Sequence, residues 1–464
     1  MRYYILLIIF IFIIPVNADI IYNLNFEKNE VIINATLILK SDKPTDYWEI
    51  SIPTQTDLKI IDLYDEIGNI DYHIKNSEIL IKTNKKKSRT RIVNLILSKQ
   101  IDEIYSLKYV DLSLFGFKNE TTAVILKRVP YFFAPDSQIE YNDLIKAKKK
   151  GPINIRILFG GKKESEHYFT NSDLNFSLVE KYYSIIEDIT NLNIPVKFGI
   201  IELPEEEYDV ELEEWSGGTY SNGIIFIKEN RTTEDIIATV MHETAHGFNS
   251  FVLDWDKTNI SWFDEGVATY ISSFMYRVLN KTRPEIFGGD IRWRDNYTIY
   301  TLKSEFKPED LYNYYRHNNS WMLYWYPSKY NDYKRNFGYA YSELFIREYL
   351  YENSSALHRV YKELLKINKS IKSPEERNKI MLNILEKDFK PCYSLNLSKI
   401  KNCTKKLNYM VFEIPSGEKI NYNYRVEPIK IEFEEKYSSY EIFYNFLKDI
   451  VEKIISYIYS FANF

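Results

Sequence analysis

Between Asp19 and Tyr141 apolar and polar residues alternate in short runs, at Ile20-Ile21-Tyr22, Val31-Ile32-Ile33, Thr36-Leu37-Ile38-Leu39, Ile79-Leu80-Ile81, Ile92 to Leu97 and Tyr109 to Leu114. Clusters of Asn, Asp, Lys and Gly separate the runs. A period of two broken by turn residues predicts a β-sandwich or saddle-like sheet. From Ile145-Lys146-Ala147 to Gly151-Pro152 the composition turns basic and then Gly-Pro, which predicts a linker ending a β-rich N-terminal domain over 19–150. After it the pattern is mixed, with strands expected at Ile153 to Phe159, Val196 to Ile201 and Gly223 to Ile227, and an amphipathic helix from Leu174 to Leu192. From Thr232 to about Asp388 the spacing of apolar residues is mainly helical, giving a second domain over 151–390. The fold class expected is therefore α+β.

A C-terminal extension over 391–464 alternates again from Leu407 to Glu435 and then turns helical from Tyr440 to Phe461. In that last helix Leu447, Ile450, Val451, Ile454, Ile455 and Ile458 fall at helical spacing, with Lys448, Asp449, Glu452 and Lys453 opposite. These charges exclude a membrane-spanning helix, leaving a helix packed on the domain or one making peripheral contact with a membrane surface.

The first eighteen residues point to export. Arg2 supplies a positive start, Tyr4 to Pro15 is almost wholly apolar, and Val16-Asn17-Ala18 offers small or short residues for cleavage. The run is too short to cross a bilayer comfortably, so residues 1–18 are expected to be a cleaved signal peptide, with an uncleaved anchor as the alternative, and the protein secreted or at the cell surface. Asn-X-Ser/Thr sequons agree with a glycoprotein, among them Asn34, Asn119, Asn175, Asn230, Asn259, Asn296, Asn353 and Asn396. The two cysteines, Cys392 and Cys403, could close a short loop in an oxidising compartment.

Composition narrows the function classes. Over 464 residues, 45% apolar and 27% charged exclude wholesale disorder, and a net charge of −5 gives no footprint for a nucleic-acid partner.

The chemistry is concentrated in His242-Glu243-Thr244-Ala245-His246. On a helix residues four apart share a face, so both imidazoles aim at one spot, where two nitrogens suit Zn²⁺ and Glu243 can reach water at the metal. The helix is supported independently by a capping box at Thr232 and Asp235 and an apolar stripe at Ile236, Ile237, Val240 and Met241. The chain has six histidines, so two of them in one five-residue pattern is unlike scattered core histidines. A catalytic zinc needs a third protein ligand and an open position. The metzincin arrangement fails, because Asn249 and Val252 stand where it needs Gly and His. The gluzincin arrangement is met by Trp262-Phe263-Asp264-Glu265-Gly266-Val267-Ala268, with Ser261 and Asp264 expected as a second capping box. Asp254 and Asp256 are the fallback ligands.

HETAH followed by WFDEGVA, with eighteen residues between His246 and Glu265, resembles the catalytic core of gluzincin metallopeptidases of the aminopeptidase N type. That resemblance covers about thirty residues. It implies a thermolysin-like zinc-peptidase domain behind a β-domain, one zinc on His242, His246 and Glu265, Glu243 as general base, and a peptide or protein substrate. Two further family elements have counterparts. The edge strand reading G-A-M-E-N in the family is matched by Gly218-Thr219-Tyr220-Ser221-Asn222, making Gly218, Ser221 and Asn222 the candidate substrate-binding residues. Ser221 stands where the family carries the glutamate that grips a free amine; Glu213 and Glu214 are nearby substitutes. The family's oxyanion tyrosine, in Y-x-x-G, is matched by Tyr339-Ala340-Tyr341-Ser342, with Tyr333 and Tyr341 as rivals to Tyr339. Asp264 and Thr269 are candidates to orient the imidazoles. The competing reading is a catalytically silent binding or cell-envelope protein on a peptidase fold.

Overall fold

A computed structural model describes residues 20–53, 57–76, 78–212, 214–253, 260–279, 289–294, 297–302, 325–329, 335, 338–339, 342–343, 346, 356–367, 374–385, 411–420 and 423–433. The leader, Glu213, Asp254, Asp256, Tyr333, Tyr341, both cysteines and the expected C-terminal helix lie outside the described residues. The chain divides into two compact units, one of Met1–Glu180 with Ile194–Asn230 and one of Lys181–Asn193 with Arg231–Phe464. The architecture is α+β, a β-rich N-terminal region followed by helices.

In the first unit a seven-stranded sheet runs in the order Gln138–Tyr141, Leu144–Lys150, Thr121–Lys127, Ile20–Phe26, Glu30–Thr45, Ser88–Gln100 and Lys59–Asp65. The basic stretch expected as a linker is thus a strand, antiparallel to Thr121–Lys127, with Ala147 opposite Val124. Its lysines alternate with buried Ile145 and Ala147, so one face serves the core while the charged ends reach water. By compactness, residues 151–180 and 194–230 also group with this unit.

Strict alternation explains how the sheet closes on its core. Val31, Ile33, Ala35, Leu37 and Leu39 all turn inward, and Ile33 sits between Leu24 on one neighbouring strand and Leu97 on the other. A second sheet (Tyr131–Phe133, Ile153–Phe159, Leu107–Leu114, Asp102–Ile104) contributes Val110, Leu112, Ile155 and Ile157 to the same apolar cluster. A three-stranded sheet adds Ile50, Ile52, Ile79 and Ile81. A buried ion pair crosses this packing: Arg91 and Asp65, both with fully buried side chains, meet at 3.2 Å.

The same unit carries a mixed five-stranded sheet ordered Lys163–Glu164, Tyr168–Thr170, Phe198–Leu203, Ile224–Lys228 and Gly218–Ser221. Ile224 to Ile227 is buried without alternation, as for a strand covered on both faces. Gly218–Ser221 is the edge strand. Asn222 and Gly223 join it to its neighbour with φ of 51° and 94°, and Ser221 pairs with Ile224, so they form a two-residue hairpin turn of the kind that needs positive φ twice. Asn222 is therefore explained by backbone geometry.

Helices among the described residues include α1 (Ser177–Thr190), α2 (Glu205–Glu211), α3 (Thr233–Leu253), α4 (Ser261–Val278), α5 (Ala356–Leu364) and α6 (Pro374–Leu385). Among the described residues no helix is long and apolar enough to cross a membrane. The second unit, expected to be mainly helical over 232–388, also holds strands the sequence reading did not place. Gly289–Arg294 and Tyr297–Leu302 form a hairpin, and Tyr297–Leu302 pairs in parallel with Asn423–Phe433, which pairs in turn with Val411–Ile420. The alternating C-terminal stretch is thus two strands, whose partner lies more than a hundred residues upstream.

Candidate metal centre

Thr232 starts α3 as the sequence predicts. Asp235 N donates to Thr232 Oγ1 at 3.2 Å, and the Thr232 hydroxyl donates to Asp235 Oδ2 at 2.7 Å. Ile237, Val240, Met241, Thr244, Ala245 and Phe248 are buried along the helix. Burying an aliphatic or aromatic side chain of this size contributes about 1.5–3 kcal/mol, so the stripe holds α3 in place without help from a ligand. α4 runs antiparallel to it, because Tyr276 donates to Asp235 at one end and Asn249 donates to Asp264 at the other, each at 2.6 Å.

This pairing brings the three expected ligands together. His242 Nε2 and His246 Nε2 stand 3.1 Å apart, and Glu265 Oε2 lies 3.4 Å from the first and 3.3 Å from the second. Ligands about 2.0–2.1 Å from a tetrahedral zinc stand about 3.3 Å apart, so the triangle has the dimensions of one face of such a site. Glu265 Oε2 is also buried with no hydrogen bond, an orphan that a cation would satisfy. The donor set fits zinc on both counts.

The electrostatics follow from this crowding. Burial works against a charged His246, but the carboxylates of Asp264 and Glu265 outweigh it and hold the imidazole well above the ordinary histidine range. For Glu265 burial pushes upward, and the charges of His246 and His242 beside it pull the carboxyl down to about 2. Glu243, next to His242, is buried on α3.

Of the two readings the sequence offers for Asp264, helix cap or partner of an imidazole, the structure places it beside an imidazole. Instead of completing a capping box with Ser261, it accepts from Asn249 Nδ2 and stands 3.0 Å from His246 Nδ1 through Oδ2, at ion-pair distance rather than in a well-aligned hydrogen bond. The start of α4 is served by Ile260 O, which accepts from the N–H groups of Phe263 and Asp264. Thr269 is wholly buried, and its Oγ1 has no hydrogen bond.

The glycine after the third ligand has a packing reason. A Cβ at Gly266 would lie 2.7 Å from Ser342 O and 3.0 Å from Ile346 Cγ1, so the segment containing Ser342 approaches α4 as only glycine permits. Tyr339, three residues before Ser342, is buried with its ring edge-on to Trp325 at 5.2 Å. Gly218, Ser221 and Asn222 belong to the first unit, on the edge strand and its turn.

In the sequence Asn249 figures only as a position that breaks the metzincin arrangement, and Tyr361 not at all. The Tyr361 phenol donates to Asn249 Oδ1, and Tyr361 is fully buried with its pKa pushed well above the usual tyrosine value, chiefly by burial and then by the charge of Asp264. The only available hint was a polar Asn249 among the buried positions of an apolar helix.

A second group, Glu166, His167 and Glu180, lies together in the first unit. There His167 Nδ1 meets Glu180 Oε1 directly at 2.5 Å, closer than two ligands of one zinc stand, and it is a carboxylate–imidazole contact.

No protein-family model and no curated protein matches this chain. Among solved structures it is similar to the M1 zinc metallopeptidase from Deinococcus radiodurans, at 10% identity over 84% of this chain and 92% of that one, with a TM-score of 0.34. A mutant of that enzyme bound to a Tyr-Ser-Ala substrate gives the same figures. Yeast LTA4 hydrolase in complex with bestatin is similar at 14% identity over 81% of this chain and 67% of that one, again with a TM-score of 0.34. At scores this low the likeness carries no weight for chemistry.

Proposed function

We propose that this chain is a secreted, zinc-dependent peptidase of the gluzincin kind, hydrolysing peptide bonds in peptide or protein substrates. The observation that carries the reading is the 3.1–3.4 Å triangle of His242 Nε2, His246 Nε2 and Glu265 Oε2 with an orphan carboxylate oxygen at its apex. When bound there, zinc supplies the Lewis acidity that activates water and polarises a carbonyl.

The remaining chemistry belongs to the chain. Glu243 takes the proton of the attacking water onto a carboxylate oxygen and returns it to the nitrogen of the leaving amine. Asp264 holds His246 from behind. The phenol of Tyr339 is assigned to the oxyanion, donating a hydrogen bond as negative charge develops. The edge strand Gly218–Ser221 offers main-chain groups to an extended peptide. With Ser221 in place of glutamate, the strand brings no carboxylate to grip a free amine, so cleavage is expected to tolerate a blocked N-terminus. Export rests on the apolar leader, and the exposed positions of Asn119, Asn175 and Asn230 leave those sequons open to glycans.

The test is a metal assay combined with a peptide-library digest using free and blocked N-termini. About one zinc per chain is expected, with Glu243→Gln retaining the metal while its turnover falls at least about 100-fold. A folded protein that takes up no zinc, or full turnover in Glu243→Gln, would sink the reading.

A further inference from the structure

Behind the metal ligands, α3, α4 and α5 share a buried polar row that ends at His246. Asn249 lies three residues after His246 on α3 and is 1% exposed; Tyr361, on α5, is 0% exposed. The Tyr361 hydroxyl donates to Asn249 Oδ1. Asn249 Nδ2 donates to Asp264 Oδ1 at 2.6 Å and lies 3.4 Å from the main-chain oxygen of Asp264. The second carboxylate oxygen, Asp264 Oδ2, faces His246 Nδ1 at 3.0 Å.

Donor and acceptor chemistry fixes the direction of the row. An ionised carboxylate only accepts, so the side of the amide facing Asp264 is its NH₂ group, and the amide oxygen is left to accept from the phenol. Asp264, with one oxygen occupied by Asn249, presents the other to His246 Nδ1. An imidazole that keeps its proton on Nδ1 has its lone pair on Nε2, the atom in the ligand triangle.

The geometry points to Asn249 and Tyr361 as positioning residues for the metal: they lock the Asp264 carboxylate where it orients the His246 ring, so that Nε2 arrives as a ligand already aimed. This rests on the zinc reading above and deepens it, extending the support of one ligand across three helices to a residue 112 positions from Asn249. The plainer account is that the row only ties α3 to α5. The two accounts differ in what the removal of one hydroxyl does, because Tyr361→Phe keeps the ring, which also packs against Phe263 at 6.2 Å.

The experiment uses the full-length protein and three single variants: Tyr361→Phe, Asn249→Ala and, as a control, Asn378→Ala. The control removes the buried acceptor of Trp262 Nε1, a hydrogen bond that involves none of the row's side chains. Three quantities are read: zinc affinity by chelator competition, the visible spectrum of the cobalt-substituted protein, and the melting temperature of the metal-free protein. Loss of an outer partner of a ligating histidine weakens metal binding by about 10–100-fold. Tyr361→Phe is accordingly expected to weaken zinc by about 10-fold and shift the cobalt bands, and Asn249→Ala to weaken it further. Asn378→Ala should lower the melting temperature while leaving zinc affinity and the cobalt spectrum as in the wild type. The inference is overturned if Tyr361→Phe moves only the melting temperature, and Tyr361→Phe decides the matter alone if Asn249→Ala does not fold. A wild-type protein that takes up neither metal overturns the zinc reading itself, an outcome distinct from wild-type uptake with an indifferent Tyr361→Phe.

Discussion

Gly266→Ala sets local helix preference against tertiary packing at the residue beside a metal ligand. Gly266 sits inside α4, and for an exposed helix interior replacing Gly by Ala stabilises by about 0.8–1 kcal/mol. In this structure the new methyl would lie 2.7 Å from Ser342 O, 3.0 Å from Ile346 Cγ1 and 3.1 Å from Ser342 C. Ordinary contact begins at 3.4 Å, so the Ser342 segment must retreat by about 0.7 Å at its main-chain oxygen, and forcing a methyl into packing this close costs about 1–3 kcal/mol. Two of the three clashing atoms are backbone, which cannot rotate aside, so the cost falls towards the upper end and the net effect is a loss of about 1–2 kcal/mol. For a unit of this size that lowers the melting temperature by roughly 2–8 °C. Thermal unfolding of the metal-free protein followed by circular dichroism reads the stability, and chelator competition reads whether the shift reaches Glu265. A Gly266→Ala protein as stable as the wild type, or more so, would refute the reasoning, since helix propensity would then be the only effect acting.

Two further outcomes follow from the charges. Metal-free His246 carries a raised pKa because the Asp264 and Glu265 carboxylates outweigh its burial, so zinc must displace a proton from it, whereas Glu265, drawn down to about 2, is already ionised. Zinc affinity should therefore strengthen as pH rises until the raised His246 value is passed, with about one proton released per zinc; calorimetry in buffers of different ionisation enthalpy measures it, and release of none would count against the assignment. In the β-rich unit, burial pushes the Asp65 carboxyl upward but hydrogen bonds from the Asn84 side chain and the N–H groups of Ile67, Asn84 and Gly68 bring it below its ordinary value. A depressed folded value means that this contribution is present above the unfolded pKa and lost as pH falls through the folded one. Asp65→Asn leaves the wholly buried Arg91 without its counter-charge and should cost about 3–5 kcal/mol. Denaturant unfolding that shows less than about 1 kcal/mol would mean that the guanidinium is otherwise served.

Much of the fold was legible because it is written in short periods. Alternation placed Val31, Ile33, Ala35, Leu37 and Leu39 on one face, and those residues are buried in register with Leu97, Leu95 and Val93. The Thr232–Asp235 box and the four-residue spacing of His242 and His246 are likewise local, and both hold in α3. The hairpin at 289–302 was missed because its sheet partner lies at 423–433, and no window of sequence contains both.

The sequence by itself determined which residue types could meet on one helix face, since the helical repeat turns spacing into direction without reference to anything else in the chain. Only the tertiary structure decided their partners. Asp264 has the spacing of a helix cap and is also a candidate to orient an imidazole; it faces Asn249 and His246 because packing α4 antiparallel to α3 places those buried polar groups beside its carboxylate. Asn222 matches a substrate-strand motif, yet it forms a turn whose backbone needs positive φ. Tyr361 has no motif at all, and a buried amide 112 residues away gives its hydroxyl an acceptor. A side chain with several hydrogen-bonding options takes the one that burial leaves it, and burial is settled by how helices and strands pack.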